Sequence, residues 1–393
     1  MPVGLFFIFI DFWERGQRSL YIKKMKWVFL EIKIPGNVLK TPKAMDNIFT
    51  ALHSIVESDP NWKEVFFKGK VLPWYSFELV GYAGGVSFYV RAPESAKHLV
   101  ENAIYSEYPD AEIITADDYV NFMPAILPND VYDIAAGDYI LAKPNPYPIQ
   151  TYPYFEANVE EQRLDPVAAI TEVMSRLKEG EALWLQYLIR PVGDGWKKEG
   201  EEIRDKMYGR KKPEKKPSFL MGIINGFFEF LWHLHRAPLI HPEWSSSKPS
   251  EDKGKTVTLS PGERSVLEAI ENKIAKYGFQ SAIRYVYIDR KDEFTQLNVA
   301  ALLGAFKQFG TQDKNSFKAG PKPTAKFLFR KSKTYTKRAM YDAYKARAFP
   351  AKTSILCTEE LATVYHFPIT SVGSPMLRRV ETRKGEPPSN LPL

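Results

Sequence analysis

The sequence has 393 residues but only one cysteine, Cys357, and six histidines. A single cysteine excludes an internal disulfide and any zinc site built from paired thiolates of this chain alone. The histidines cluster once, at His233, His235 and His241 beside Glu243. Their spacing matches no helical metal pair, so no metal and no cofactor are expected. A phosphate loop is missing as well. Gly254-Lys255-Thr256 has the ending of one, but Pro249 stands where the first glycine belongs, and proline has no N–H to turn toward a phosphate. Nucleophile-elbow and dinucleotide fingerprints are also absent, which leaves an enzyme only the option of a site assembled from scattered residues. The adjacent Asp117 and Asp118 fall at a strand end, where a solvated turn is the ordinary explanation. Long apolar runs are lacking too: the N-terminal run and residues 219–234 both fall short of the roughly 20 residues that span a bilayer.

What is present is the composition of a folded protein, with 44% apolar, 26% charged and 14% aromatic residues. The length suits two or three domains. A net charge of +7 favours an anionic partner such as nucleic acid or a lipid surface, and is equally common in proteins that touch neither. Directly after the N-terminal apolar run come Arg15, Arg18, Lys23, Lys24 and Lys26 with Tyr21 and Trp27, the basic and aromatic flank found on the cytoplasmic side of membrane segments. Residues 1–25 are therefore read as a juxtamembrane segment or a truncated membrane helix, with an apolar strand or core helix as the alternative.

Along the chain, strand and helix signals alternate. Residues 27–34 alternate like a half-buried strand, and Thr41-Pro42 opens an amphipathic helix carrying Met45, Ile48, Phe49, Leu52, Ile55 and Val56. Strands at 75–80 and 86–91 flank a glycine-rich turn, a helix covers 93–106 and a short strand 111–116. Strand, helix, strand, strand, helix, strand is the order of the ferredoxin-like split unit. The same grammar returns at the strand 139–142, the helix capped by Asp165-Pro166 and the strand 182–190. It returns again at the capping box Ser260-Pro261-Gly262-Glu263, its helix and the strand 282–288. The fold class predicted is α+β, with repeated ferredoxin-like (βαββαβ-type) units and an irregular insertion. The domains predicted are 26–135, then 136–310 with the insertion at about 196–258, then 311–393 as a basic segment, short helix and Pro-rich connector.

Residues 314–347 hold eleven basic residues against Asp342 alone. Among them Lys326, Arg330, Lys331, Lys333, Lys337 and Arg338 are candidates for binding nucleic acid, with Phe317, Phe327, Phe329, Tyr335, Tyr341 and Tyr344 offering stacking surface. A solvated helix face with its aromatics in the core explains the same pattern.

The string Thr358-Glu359-Glu360-Leu361-Ala362-Thr363-Val364-Tyr365-His366-Phe367-Pro368, followed by Pro375, Arg378, Arg379 and a Pro-rich ending, resembles the region before the motor domain in conjugative, type IV secretion-like ATPases. These are the coupling-protein and HerA/FtsK-like DNA translocases. Similar patterns reach back through 315–317, 306–309, 260–288 and 165–190. The resemblance implies a non-catalytic, membrane-proximal accessory protein or N-terminal portion of such a translocase, at the cytoplasmic face of the membrane or in the cytoplasm. The phosphate loop and metal-binding aspartate of the motor would lie outside this sequence. Its implied partners are the motor ATPase or secretion-system subunits, with DNA, a membrane and further copies of the chain as additional ones. Thr358 reads as the cap of a short docking helix whose acids favour its positive end, and Pro368 as its stop. Thr358, Glu359, Glu360, Leu361, His366 and Pro368 are thus candidates for docking to the motor. The alternative function is a stand-alone nucleic-acid-binding α+β module.

Overall fold

The computed structural model describes residues 2–35, 40–58, 60–83, 85–156, 165–209, 259–322, 333–350 and 352–368. The chain is a mixed α+β protein organised around one nine-stranded sheet. Its first element is a helix, α1 (Pro2–Lys24), and not a strand. The basic flank belongs to the same helix as the apolar run. Among the described residues no helix is long and apolar enough to cross a membrane.

The strands are β1 (Trp27–Lys33), β2 (Tyr75–Tyr82), β3 (Gly85–Pro93), β4 (Glu112–Thr115), β5 (Tyr132–Leu141), β6 (Ala182–Pro191), β7 (Gly278–Arg290), β8 (Phe317–Ala319) and β9 (Ser354–Cys357). They lie in the order β4-β1-β3-β2-β6-β7-β5-β8, with β9 on the free stretch of β7. Every pairing is antiparallel. The order repeats about the central β2·β6 pair: reading outside in, one half runs β4-β1-β3-β2 and the other β8-β5-β7-β6. The boundary expected at 135/136 falls inside β5, which begins seven residues earlier than its apolar core at 139 suggested because Tyr132–Asp138 is paired along β7. One continuous sheet crosses all the predicted domain limits.

One face of the sheet carries α2 (Lys43–Leu52), α4 (Lys97–Glu107), α6 (Ala168–Ser175), α9 (Leu297–Lys307) and α11 (Thr358–Val364). The remaining helices are α3 (Trp62–Lys68), α5 (Tyr152–Glu156), α7 (Lys197–Met207), α8 (Pro261–Ile274) and α10 (Lys333–Lys345). The apolar periodicity predicted for α2 holds at Met45, Ile48, Phe49 and Leu52, all buried, while Val56 lies past a 3-10 turn and is exposed. Thr41 caps α2 as expected: Pro42 takes helical angles at the first helical position, and Thr41 Oγ1 accepts from Lys43 N at 3.4 Å. The Ser260 capping box forms as expected, with Ser260 Oγ accepting from Glu263 N and Glu263 accepting from Ser260 N.

Side chains of even and odd strand positions separate cleanly. Leu30, Ile32, Phe77, Leu79, Leu185 and Tyr187 enter the large core beneath the helices. Val80, Tyr89, Trp184, Val286 and Ile288 point the other way, into a second core closed by Tyr119, Tyr341 and Tyr344. Tyr341 and Tyr344 of α10 are thus apolar cover for the second face. A third small cluster of Trp74, Leu188 and Ala282 takes in Ile22 and Met25 at the end of α1.

Candidate functional site

On the second face a polar row crosses five neighbouring strands. Tyr89 on β3 pairs with Glu78 on β2, Glu78 with Gln186 on β6, Gln186 with Arg284 on β7, and Arg284 with Asp138 on β5. Glu78, Gln186 and Arg284 are all buried at the middle of the row, and Ser76 shares the face of Glu78. A buried charge is tolerated only when it is paired and hydrogen-bonded, and here the partners come from the segment that ends α10.

Arg347 lies just past α10 in a left-handed conformation, φ 48°, which turns the chain down onto the sheet. Its guanidinium grips two carboxylates. Nε and Nη2 donate to Glu78 at 2.9 and 3.1 Å, and Nη1 and Nη2 donate to Asp118 at 2.6 and 2.8 Å. Glu78 also accepts from the Tyr119 hydroxyl at 2.7 Å, from Gln186 at 3.0 Å and from Ser76. The Tyr119 and Tyr344 hydroxyls meet at 2.6 Å. Further along the row, Arg284 donates to Asp138 at 2.6 Å and to the Ala348 carbonyl at 3.1 Å. Burial alone would lower the Arg347 guanidinium, but Glu78 and Asp118 outweigh it and hold it above the ordinary arginine value. Arg91, stacked over Trp27, is brought down to about 10 by burial and then by the like charge of Arg347. Asp118 is therefore no solvated turn residue. It ties the 3-10 turn Tyr119–Phe122 to the far end of the chain.

Burial first, and for Tyr119 and Tyr344 then the Glu78 charge, raises the hydroxyl pKa of the interior tyrosines, with Tyr75 and Tyr341 pushed up to about 12. A neutral phenol is thus favoured by the folded state. Its contribution is fully present below the unfolded value near 10 and is lost as pH rises toward 12. Cooperative alkaline unfolding is expected in that window. Tyrosinate absorbance and far-UV circular dichroism should change together, and gradual titration of Tyr75 and Tyr341 without loss of structure would contradict the burial described.

The docking candidates gather around α11. Cys357, not Thr358, occupies the N-cap, because Glu360 reaches back to Cys357 N at 2.9 Å and leaves Thr358 as the first helical residue. Glu360 is fully buried. It also accepts from Ile149 N at 2.9 Å and faces the Lys273 ammonium of α8 at 2.9 Å. Burial, then the Glu360 charge, pushes the Cys357 thiol up, so it is an inert neutral group. His366 is buried as well, with Nδ1 at 2.8 Å from the Ala362 carbonyl and Nε2 at 2.8 Å from the Asp165 carboxylate. Asp165 in turn accepts from Val167 N and Ala168 N ahead of α6. Thr358, Glu360, Leu361 and His366 therefore point into the chain's own core, while Glu359 and Pro368 are partly exposed. Glu359 pairs with Lys276 at the rim of a cleft of about 580 Å³ that Gln150, Tyr154, Asn272 and Lys314 also line.

Of the nucleic-acid candidates, Lys326, Arg330 and Lys331 lie outside the described residues, as do His233, His235, His241 and Lys255. Lys333 is exposed. Lys337 donates to Asp133 at 2.6 Å, and Arg338 reaches the Pro128 carbonyl at 3.5 Å. Phe317 packs against the core, and Tyr341 and Tyr344 are buried in it, whereas Tyr335 is exposed. The sequence places these residues together, and the structure spends several of the charges on its own fold.

The chain belongs to the family described as Domain of unknown function (DUF8128), which matches residues 16–377. No curated protein matches it.

Proposed function

We propose that this chain is a non-catalytic, membrane-proximal accessory module of a DNA-translocating, conjugative type IV secretion-like ATPase. It acts as a scaffold that fixes where the motor connects. The observation that carries this reading is the anchoring of α11. The stretch resembling a pre-motor string is held by a buried Lys273–Glu360 pair on one side and by His366–Asp165 on the other. The chain is therefore held firmly up to Pro368, as the base of a connector that transmits force requires. We further propose that the two halves of the sheet are ferredoxin-like units joined edge to edge. Support comes from the order β4-β1-β3-β2 and its repeat β8-β5-β7-β6, the second with its hairpin replaced by the insertion between β6 and β7. The nucleic-acid reading has less support, since Lys337 and Arg347 are bound within the chain.

The test is reconstitution with a motor ATPase of the conjugative, type IV secretion-like class. Co-elution and a severalfold rise in DNA-dependent ATP turnover are expected. Asp165→Ala, which removes the His366 partner, should weaken that stimulation while circular dichroism stays unchanged. Absence of both co-elution and stimulation by the wild-type chain would refute the proposal.

A further inference from the structure

The outer side of α1 and α3 carries a run of five aromatic rings in contact. Phe9 and Trp13 lie with ring centres 6.2 Å apart, Trp13 and Phe66 6.4 Å, Phe66 and Phe67 5.1 Å, and Phe67 and Trp62 6.3 Å. Trp13 Nε1 donates to the Phe66 carbonyl at 2.9 Å, pinning the two helices. Gly69 completes the joint: at φ +62° its missing Cβ would stand 2.2 Å from the Gln17 carbonyl, so only glycine closes α3 against α1. Trp13 and Phe66 are spent on this joint. The other three rings face solvent, with Phe9 60%, Trp62 68% and Phe67 59% exposed, and Phe12, one turn from Phe9 on α1, is 70% exposed. A contiguous patch of this kind marks an interaction surface.

The charge around the patch says which partner fits. Lys23, Lys24, Lys63 and Lys68 are exposed on the same two helices. The acids nearby are engaged: Glu14 with Arg18 at 3.2 Å, and Glu64 with Lys70 and the Asn61 capping box. Among the described side chains of these two helices, the surface therefore offers aromatic rings and lysines with no carboxylate paired to them. A second copy would meet it with the same positive charge. A bilayer with anionic headgroups meets both features at once, because aromatic rings favour the headgroup level and lysines the phosphates.

We propose that the outer face of α1 and α3 docks in the plane of an anionic lipid surface, with Phe12, Trp62 and Phe67 entering the headgroup layer and Lys23, Lys24 and Lys68 holding phosphates. This deepens the membrane-proximal part of the proposed function and is independent of its motor part.

The experiment is sedimentation of the full chain with vesicles of phosphatidylcholine alone or with about a third phosphatidylserine. Wild type should bind the mixed vesicles far better than the neutral ones, less so as salt rises. Phe12→Ser/Trp62→Ser/Phe67→Ser should lose about tenfold or more of that binding. Lys23→Glu/Lys24→Glu/Lys68→Glu, whose exposed positions leave folding intact, should lose roughly a hundredfold, since each surface lysine is worth about fivefold. Failure of wild type to bind anionic vesicles, or equal binding by wild type and both variants, would overturn the proposal. So would concentration-dependent self-association abolished by the aromatic variant in the absence of vesicle binding, which would assign the face to a second copy. No ATPase is present in this assay, so a chain that binds vesicles yet ignores the motor sinks only the motor reading.

Discussion

Arg347→Ala is expected to lower the unfolding free energy by about 3–5 kcal/mol, because it strands the Glu78 carboxylate in a dry interior. Glu78 is wholly buried and Asp118 only partly so, so most of the loss comes from Glu78. Two further substitutions apportion the effect. Arg347→Gly also removes the pair but suits the φ of 48°, so it should recover the roughly 1 kcal/mol that a left-handed alanine costs. Glu78→Gln in the Arg347→Ala background removes the stranded charge and should restore part of the stability. Denaturant melts followed by circular dichroism give all three values. If Arg347→Ala changes stability by less than about 1 kcal/mol, the fork is not holding α10 to the sheet.

Glu360→Ala is expected to cost about as much, roughly 3–5 kcal/mol, by a different route. It leaves Lys273, 1% exposed at its side chain, without its counter-charge. It also deprives the Ile149 and Cys357 N–H groups of their acceptor, and each buried donor left unmade adds about 1–3 kcal/mol. Lys273→Met alone should be nearly as damaging, since Glu360 then keeps a charge with no cation. The double variant Lys273→Met/Glu360→Gln should be milder than Lys273→Met or Glu360→Gln alone, because a buried pair contributes little beyond matching its own charges. Strictly additive losses in this cycle would show that the two side chains do not act on each other.

The elements that were legible in the sequence are those whose signals are local. The Ser260 box and the apolar stripe of α2 each lie within one helix, and each appears in the structure; β1 forms as a strand but is covered on both faces, with Glu31 buried between Leu30 and Ile32. The ends of β5 and β7 were not legible, because residues such as Gly137 and Ser281 have no strand preference of their own and are held by their neighbours. The polar row was written in the sequence as Glu78, Gln186 and Arg284, each flanked on both sides by an apolar or aromatic residue within a strand-like run. That pattern could have flagged a buried network. Its closure could not be seen, because Arg347 and Asp118 are 229 positions apart and Arg347 sits in a segment whose other charges look solvated. Burial separates residues that composition lumps together: Arg347 is 2% exposed, while Lys333 nearby is open to water. The α11 string was legible as a helix with acids in its first turn. That Glu360 and His366 would turn inward depends on Lys273 and Asp165, which no local pattern pairs with them.

The Glu78–Arg347 contact joins residues 269 positions apart, and that separation sets an order of events on the ribosome. At a synthesis rate of roughly 5–20 residues per second, β2 is made well over ten seconds before Arg347 appears. Until β6 is made the nascent first half has an open β2 edge, and throughout the interval Glu78 lacks the guanidinium that will grip it. Non-local pairings of this kind form late and slowly. The solvated, charged Glu78 is then an obstacle to sticky collapse at that face, since burying it early would leave it unpaired. When the basic helix finally emerges, the same carboxylate becomes its landing point, so a residue made early waits for a partner made late.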